Sequence, residues 1–254
     1  SENLLLNISR EVNIISKLSH PAILKFIFYC PFNFKNKPKP VIITEFASNG
    51  SLDELIKKER KSQIIIDMTH KLIIIYGIAA AMSYLHDHDI IHRDLKPANI
   101  LLDQFLFPKI ADFGLSKSVN NDKEEKVSTK TLSIKGTPIY ISPEIWSKFE
   151  YTSSCDVYAF GIIVYELLTS QKPFENFNFY QIPIEVLKGY RPPIKKQIPN
   201  SYINLIQHCW EQEPSNRPTF DEILDKLQND RSFIIDSIDE SEFFKYVNYI
   251  KECK

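Results

Sequence analysis

The sequence predicts an α+β fold in two unequal lobes, a small lobe with short strands and a large lobe that is mainly helical. Short β-rich runs are concentrated before residue 50, whereas after it most segments carry apolar residues at the spacing of three and four that is typical of helices. The 254 residues are 43% hydrophobic and 25% charged, which is the composition of a globular protein able to bury a large core.

Residues 1–46 are predicted to form the small lobe. A helix is predicted over residues 3–18, where the apolar side chains are spaced three and four apart, and Ser19-His20-Pro21 ends it. Two strands are predicted over residues 23–29 and 41–46. His20 is predicted to be a core-packing histidine rather than a ligand.

Residues 47–229 are predicted to form the large lobe, beginning with a turn at Asn49-Gly50 and an N-cap at Ser51. The predicted helices cover residues 52–58, 69–87, 154–169, 182–188, 202–211 and 220–229. Two short strands are predicted over residues 100–103 and 108–111, and residues 115–135 form a polar segment rich in Ser, Thr and Lys.

Residues 230–254 are predicted to be a C-terminal helical extension, because aromatic side chains recur between Phe243 and Tyr249 at helical spacing. We expect this helix to pack on the large lobe. A helix that binds a partner protein is the alternative.

Composition excludes several classes of protein. Lys and Arg total 31 against 32 Asp and Glu, so a net charge of −1 gives no reason to expect a nucleic-acid partner. The longest nearly unbroken apolar run, residues 72–82, is too short to span a membrane, which needs about 20 residues. The four cysteines lie far apart without a C-x-x-C pair, which argues against a zinc site and a disulfide scaffold. We therefore expect a cytoplasmic protein.

Three short strings occur in a fixed order. They are His92-Arg93-Asp94-Leu95-Lys96-Pro97-Ala98-Asn99, Asp112-Phe113-Gly114 and Ser142-Pro143-Glu144. Asp-Phe-Gly alone is a weak signal, but an Asp with a Lys two residues later and an Asn five residues later, followed by a hairpin and a second Asp, is far more specific. The alternative is an Asp–Asn turn on a surface loop, satisfied by its own hydrogen bonds.

Together these strings resemble the catalytic domain of a eukaryotic protein kinase, most closely the tyrosine-kinase-like group of Ser/Thr kinases, over residues 3–228. Phosphoryl transfer needs positioning and charge neutralisation more than covalent help. Asp94 is placed to accept a hydroxyl proton, Lys96 to meet the γ-phosphate, and the oxygens of Asn99 and Asp112 to bind Mg²⁺. The predicted function is transfer of the ATP γ-phosphoryl group to Ser/Thr hydroxyls of protein substrates.

The resemblance implies further site residues. Glu11 corresponds to the glutamate on the mobile helix of the small lobe. Thr44 corresponds to the gatekeeper, and Glu45, Phe46 and Ala47 to the hinge that binds adenine. Leu101 would form the floor of the adenine pocket.

The same resemblance implies structural contacts. Asp156 corresponds to a buried aspartate that braces the catalytic loop, and Arg217 is predicted to form a buried ion pair with Glu144. A stacked apolar column is implied, which consists of Phe26, Ile15, Phe113 and His92. His86 and His88 are predicted to be solvated residues at a helix end, because an i,i+2 pair does not share a helix face.

Substrate class and regulation follow from three residues. Lys96 in Lys-Pro-x-Asn and Thr137 in Gly-Thr-Pro favour Ser/Thr over Tyr as the acceptor.

Arg93 is predicted to pair with a phosphate that an upstream activating kinase places on the nearby loop, in a signalling role. The candidate hydroxyls are Ser116, Ser118, Ser128, Thr129, Thr131 and Ser133. The alternative is a solvated face without a regulatory role.

Two parts of the kinase pattern do not occur in these 254 residues. No G-x-G is present, and no lysine precedes Glu11. We therefore expect the small lobe to be truncated relative to a longer parent protein, and the chain alone to be weakly active or inactive. Two alternatives remain open: a pseudokinase that acts as a binding or scaffolding module, and, less favoured, a phosphotransferase for small molecules.

Overall fold

The computed structural model describes Ile8, residues 11–35, Lys37 and residues 39–118, 137–195 and 198–252. Within these residues the chain forms a small lobe of one helix and one two-stranded sheet, and a large lobe that is mainly helical. The predicted α+β architecture with a small, strand-poor first lobe is confirmed.

The small lobe contains helix α1 (11–15) and strands β1 (Phe26–Cys30) and β2 (Val41–Thr44). The two strands pair antiparallel, with an irregularity between Phe26 and Phe28. Ile14 and Ile15 of α1 are buried, whereas Ile27 and Phe28 of β1 are more than half exposed. The helix therefore contributes to the core more than β1 does.

The segment that joins α1 to β1 connects the two lobes. Leu24 donates its amide to Ile110 O at 2.9 Å, and the amide of Ile110 donates to Ala22 O at 2.8 Å, so this segment runs beside a strand of the large lobe. The ring of His20 lies 5.1 Å from that of Tyr84, and His20 is buried. The prediction that His20 packs in the core is confirmed.

The large lobe begins with α2, whose Ser51 cap forms a reciprocal capping box with Glu54. Its helices are α2 (Leu52–Arg60), α3 (Met68–Asp87), α4 (Pro143–Lys148), α5 (Ser153–Thr169), α6 (Gln181–Leu187), α7 (Asn200–Cys209) and α8 (Phe220–Asn229). Helices α3 and α5 are buried along nearly their whole length and form the centre of the core. Among the described helices, α3 alone is long and apolar enough to span a membrane, but 83% of that stretch is buried inside the fold.

Two short antiparallel pairs complete the large lobe. Strands β4 (Ile100–Leu102) and β5 (Pro108–Ile110) form the predicted hairpin, with Leu101 opposite Lys109. Strands β3 (Ile90–Ile91) and β6 (Lys117–Ser118) form a second pair that periodicity did not predict, because each contributes only two residues. Helix α4 was also missed, since it is only six residues long.

The C-terminal extension forms helix α9 (Glu240–Glu252). Its buried residues are Phe243, Tyr246, Val247 and Ile250, which recur at helical spacing and face α3. The predicted packing of this helix on the large lobe is confirmed.

Candidate active site

The loop between β3 and β4 brings three predicted catalytic side chains together. The ammonium of Lys96 lies 2.6 Å from Oδ2 of Asp94. Asn99 donates from Nδ2 to the Asp94 carbonyl at 2.9 Å and to Asp94 Oδ2 at 3.1 Å. Because the amide nitrogen of Asn99 is directed at Asp94, its side-chain oxygen remains available as a ligand.

Asp156, in the buried first turn of α5, holds this loop. Its carboxylate accepts the amides of His92, at 2.8 Å, and Arg93, at 2.9 Å. Arg93 adopts a φ of 68°, in the left-handed region that most residues avoid, so two consecutive amides converge on one carboxylate. The role predicted for Asp156 is consistent with this geometry.

His86 is also part of this anchor, so the prediction that it is a solvated histidine is wrong. Its Nε2 lies 3.0 Å from Asp156 Oδ2, and its ring packs 5.2 Å from that of Phe220. Burial raises the pKa of Asp156, but the hydrogen bonds and charges of His86 and His92 together outweigh that effect, and the net pKa lies below its ordinary value. His88 is exposed as predicted, although its Nδ1 bonds the Tyr84 carbonyl at 2.7 Å. The i,i+2 argument did not consider which face of α3 is buried, and a helix buried on nearly all sides carries no sequence pattern that shows it.

The hairpin of β4 and β5 places Asp112 next to this loop. The amide of Ala111 donates to the Asn99 carbonyl at 2.9 Å, so the residue before Asp112 is bonded directly to the catalytic loop. Asp112 has a φ of 63° and accepts the Gly114 amide at 3.3 Å. The structure thus brings Asn99 and Asp112 to the same end of the hairpin.

The apolar column implied by the resemblance is present in part. The rings of His92 and Phe113 lie 5.3 Å apart, and both residues are buried. Ile15 and Phe113 belong to one core cluster, and Phe26 packs against that cluster. Of the column, the contact between His92 and Phe113 is therefore the part that the structure shows directly.

Glu11 lies on α1 within electrostatic range of Asp112. Burial, and after it the negative charge of Asp112, raises the pKa of the Glu11 carboxyl. Within the described residues Glu11 makes no salt bridge, so this carboxylate faces a like charge rather than a cation.

We expect Glu11→Gln to stabilise the fold at neutral pH. A carboxyl whose folded-state pKa is raised destabilises the native state above its unfolded pKa, and the penalty disappears as the pH falls and the group protonates. Because Glu11 is only half buried, solvent screening limits the gain to a rise of about 1–2 °C in Tm. Calorimetry at pH 7 and pH 4 measures it, and an equal or larger gain at pH 4 would contradict the explanation.

The predicted adenine-binding residues lie where β2 leaves the small lobe. Thr44 ends β2, and its hydroxyl donates to the Glu45 carbonyl at 3.1 Å. The Glu45 amide donates to Lys25 O at 2.9 Å, so it is already engaged. Within the described residues, no hydrogen bond engages the backbone of Ala47, which leaves it able to bind a ligand. Phe46 is 88% exposed and its side chain packs little against the protein.

Leu101 is joined to this segment through the start of α2. It forms an isolated bridge with Ser51, and Lys109 faces it across the hairpin. Lys109 is buried and its ammonium lies 3.4 Å from Glu45 Oε1. This ion pair was missed by sequence reasoning, because a lysine in a three-residue strand has no periodic signal that distinguishes buried from exposed positions.

The segment after residue 136 is fixed to the large lobe by two buried carboxylates. Arg217 makes a bidentate ion pair with Glu144, at 2.7 and 2.8 Å, and both side chains are almost fully buried, as predicted. Tyr140 donates its hydroxyl to Glu166 at 2.8 Å, and Arg60 of α2 pairs with the other Glu166 oxygen at 2.8 Å. The contacts of Glu166 with Tyr140 and Arg60 were not predicted, although Tyr140 follows Gly-Thr-Pro closely in the sequence.

The loop predicted to carry regulatory hydroxyls falls largely outside the described residues. Ser128, Thr129, Thr131 and Ser133 lie there, as does the side chain of Ser118. Ser116 is buried and its hydroxyl donates to the His92 carbonyl at 3.2 Å, so among the candidate hydroxyls this one is not exposed to an upstream kinase. The guanidinium of Arg93 lies 4.8 Å from the ring centroid of Tyr151.

The sequence is similar to those of several protein kinases. A probable LIM domain-containing serine/threonine-protein kinase of Dictyostelium discoideum is 38% identical over 233 residues, which cover 90% of this chain and 34% of that protein. A probable serine/threonine-protein kinase of the same organism is 40% identical over 219 residues, which cover 86% of this chain and 22% of that protein. The dual specificity protein kinase shkB, also of Dictyostelium discoideum, is 34% identical over 226 residues, or 87% of this chain and 33% of that protein.

The chain therefore spans between 22% and 34% of the length of these relatives. Residues 1–227 match the family described as protein tyrosine and serine/threonine kinase. This match includes the loop around Asp94, the hairpin that leads to Asp112, and the Arg217–Glu144 pair. The chain belongs to the protein tyrosine and serine/threonine kinase family.

Proposed function

We propose that this chain transfers the γ-phosphoryl group of ATP to Ser or Thr hydroxyls of proteins, with Mg²⁺ as the metal ion. The observation that supports this most directly is the convergence of Lys96 and Asn99 on Asp94, within 2.6–3.1 Å. One anion, one cation and one amide oxygen then lie at the open end of the β4–β5 hairpin, the same end to which the second strand brings Asp112.

The donor set suits a magnesium ion. Asn99 has its nitrogen committed to Asp94, so its oxygen would be the ligand, and Asp112 would supply carboxylate oxygen. Such oxygens are the ligands that Mg²⁺ prefers, and the ion usually binds through few protein groups together with substrate phosphates. The bound ion would neutralise phosphate charge.

Asp94 would act on the attacking hydroxyl, and Lys96 on the transferred phosphoryl group. Asp94 would orient the attacking hydroxyl and accept its proton. Lys96 is held at Asp94 by its own ion pair and would place its ammonium beside the oxygens of the transferred group. Adenine would bind along Thr44 to Ala47, above Leu101, with the Ala47 backbone as the hydrogen-bonding group.

Ser/Thr specificity rests on Lys96 and Thr137 and on the names of the relatives, most of which are serine/threonine-protein kinases. One relative is named a dual specificity kinase, so tyrosine phosphorylation is the outcome that would limit this part of the proposal. An upstream kinase that acts on the loop near Arg93, and a cytoplasmic location, belong to the same proposal.

The test is an ATP- and Mg²⁺-dependent transfer assay on a generic basic protein, followed by identification of the phosphorylated amino acid. The assay uses the 254-residue chain and, if the gene encodes residues upstream of Ser1, the longer product as well. We expect phosphoserine and phosphothreonine, and loss of both in an Asp112→Asn variant. Labelling of tyrosine alone would overturn the assignment of the acceptor.

The pseudokinase alternative is favoured by one observation, the Glu11 carboxylate that faces Asp112 without a cation among the described residues. It predicts that nucleotide binding survives while transfer is absent in the chain and in any longer product. Phosphorylation of a small alcohol in preference to a protein would instead indicate the small-molecule phosphotransferase.

A further inference from the structure

Helix α9 lies beyond the part of the chain that matches the kinase family, because that match ends at residue 227. Two contacts join the start of α9 to the first half of α3. The amide of Asp239 donates to the Thr69 hydroxyl at 2.8 Å, and the ring of Phe243 packs edge-on against Tyr76 with centroids 5.7 Å apart. The extension is therefore an integral layer of the large lobe.

The buried face of α9 also reaches the β4–β5 hairpin. The ring of Tyr246 lies 4.4 Å from that of Phe107, the residue immediately before β5. Phe107 closes the hairpin, because its carbonyl accepts the Asp103 amide at 3.1 Å and its amide donates to Asp103 Oδ1 at 3.0 Å. Tyr246 thus packs on the turn whose two strands lead from Asn99 and to Asp112.

Gly77 shows how closely the three elements approach. A Cβ atom on Gly77 would clash with the hydroxyl of Tyr246 and would lie 2.5 Å from Cγ of Pro108, the first residue of β5. A glycine inside a helix costs about 1 kcal/mol relative to alanine, and here the close packing of α3, α9 and the hairpin accounts for its presence. The Tyr246 hydroxyl is buried and makes no hydrogen bond within the described part of the chain, so packing alone holds this ring.

We propose that Tyr246 is a positioning residue, through which α9 braces the β4–β5 hairpin and thereby fixes the separation of Asn99 and Asp112 for the metal ion. The inference rests on the proposed function for its metal, but the brace itself is a property of the fold. It assigns a catalytic purpose to a segment outside the residues that match the family.

The test compares two fully buried tyrosines in the whole chain. Tyr246→Ala removes the ring from the hairpin, whereas Tyr202→Ala removes an equally buried ring from α7, where Tyr202 packs against Phe233 with centroids 5.0 Å apart. Amide hydrogen exchange is measured at a temperature where both variants remain folded by circular dichroism. We expect Tyr246→Ala to accelerate exchange about tenfold at Leu102, Asp103 and Ile110 and to leave exchange in α7 unchanged. We expect Tyr202→Ala to accelerate exchange in α7 and to leave exchange in the hairpin unchanged.

The second readout is the Mg²⁺ concentration at half-maximal binding of a fluorescent ATP analogue. We expect it to rise several-fold in Tyr246→Ala and to stay at the wild-type value in Tyr202→Ala. Tyr246→Phe keeps the ring, so hairpin exchange and the Mg²⁺ midpoint should both stay at their wild-type values. Phe107→Leu alters the same contact from the hairpin side and is the independent variant if Tyr246→Ala does not fold.

Equal acceleration of hairpin exchange by the two alanine variants would overturn the brace. Faster exchange with an unchanged Mg²⁺ midpoint would overturn its role at the metal site. If wild-type protein binds no nucleotide at any Mg²⁺ concentration, the proposed function fails, while the exchange experiment still decides whether α9 braces the hairpin.

Discussion

Replacing Asp94 with Asn is expected to lower the rate of phosphoryl transfer by about 10²–10⁴-fold, the usual contribution of a positioned proton acceptor. Asparagine can keep one hydrogen bond to the loop but cannot accept the hydroxyl proton. It also removes the negative partner of Lys96, which lies 2.6 Å away, and so alters the charge next to the transferred group. The rate is measured with saturating ATP and Mg²⁺.

The matched control is Asp87→Asn, which makes the same chemical change at an exposed residue at the end of α3. It should leave the rate unchanged. Nucleotide affinity should change little in Asp94→Asn, because the proposed adenine and metal contacts lie elsewhere. Retention of wild-type turnover by Asp94→Asn would remove Asp94 from the mechanism.

The largest effect on stability is expected for Glu144→Ala, a loss of about 3–5 kcal/mol in the free energy of unfolding. The substitution leaves the guanidinium of Arg217 buried without its carboxylate. The remaining acceptors of Arg217 are the carbonyls of Ser154, Glu211 and Gln212, and these do not neutralise the charge. For a chain of this length the loss corresponds to a fall of about 10 °C in Tm.

Arg231→Ala tests whether burial is the cause. Arg231 also pairs with a glutamate, Glu240, but both side chains are largely exposed. Exposed pairs contribute about 0–1 kcal/mol, so Tm should fall by about 2 °C or less. Urea unfolding of both variants measures the difference, and comparable losses in the two would show that burial does not govern the Glu144–Arg217 pair.

Elements with clear periodicity or an N-cap were predicted closely from the sequence. Helix α8 has the predicted bounds, and α2 begins after the predicted cap at Ser51 because the capping box with Glu54 is a local signal. Strands β3 and β6 were not predicted, since each is two residues long and depends on a partner distant in the chain. Short elements of this kind are set by tertiary context rather than by local sequence.

The site residues were located by motif, whereas their contacts were not. The strings around Asp94 and Asp112 identified which side chains carry the proposed chemistry. The position of His86 against Asp156 depends on which face of α3 is turned inward, and a helix buried on all sides carries no periodic pattern to show this. The pairing of Lys109 with Glu45 likewise joins residues 64 positions apart, through the geometry of the hairpin.

The anchoring of consecutive loop amides by Asp156 has an entropic consequence. Because that buried carboxylate belongs to the first turn of α5, the backbone from His92 to Asp94 is ordered when the large lobe folds. In the proposed reaction, nucleotide and acceptor would meet dipoles that are already oriented, and little reorganisation would remain for the moment of transfer. The conformational entropy of this loop is therefore lost when the large lobe folds and not when substrates bind, whatever conformation the small lobe adopts.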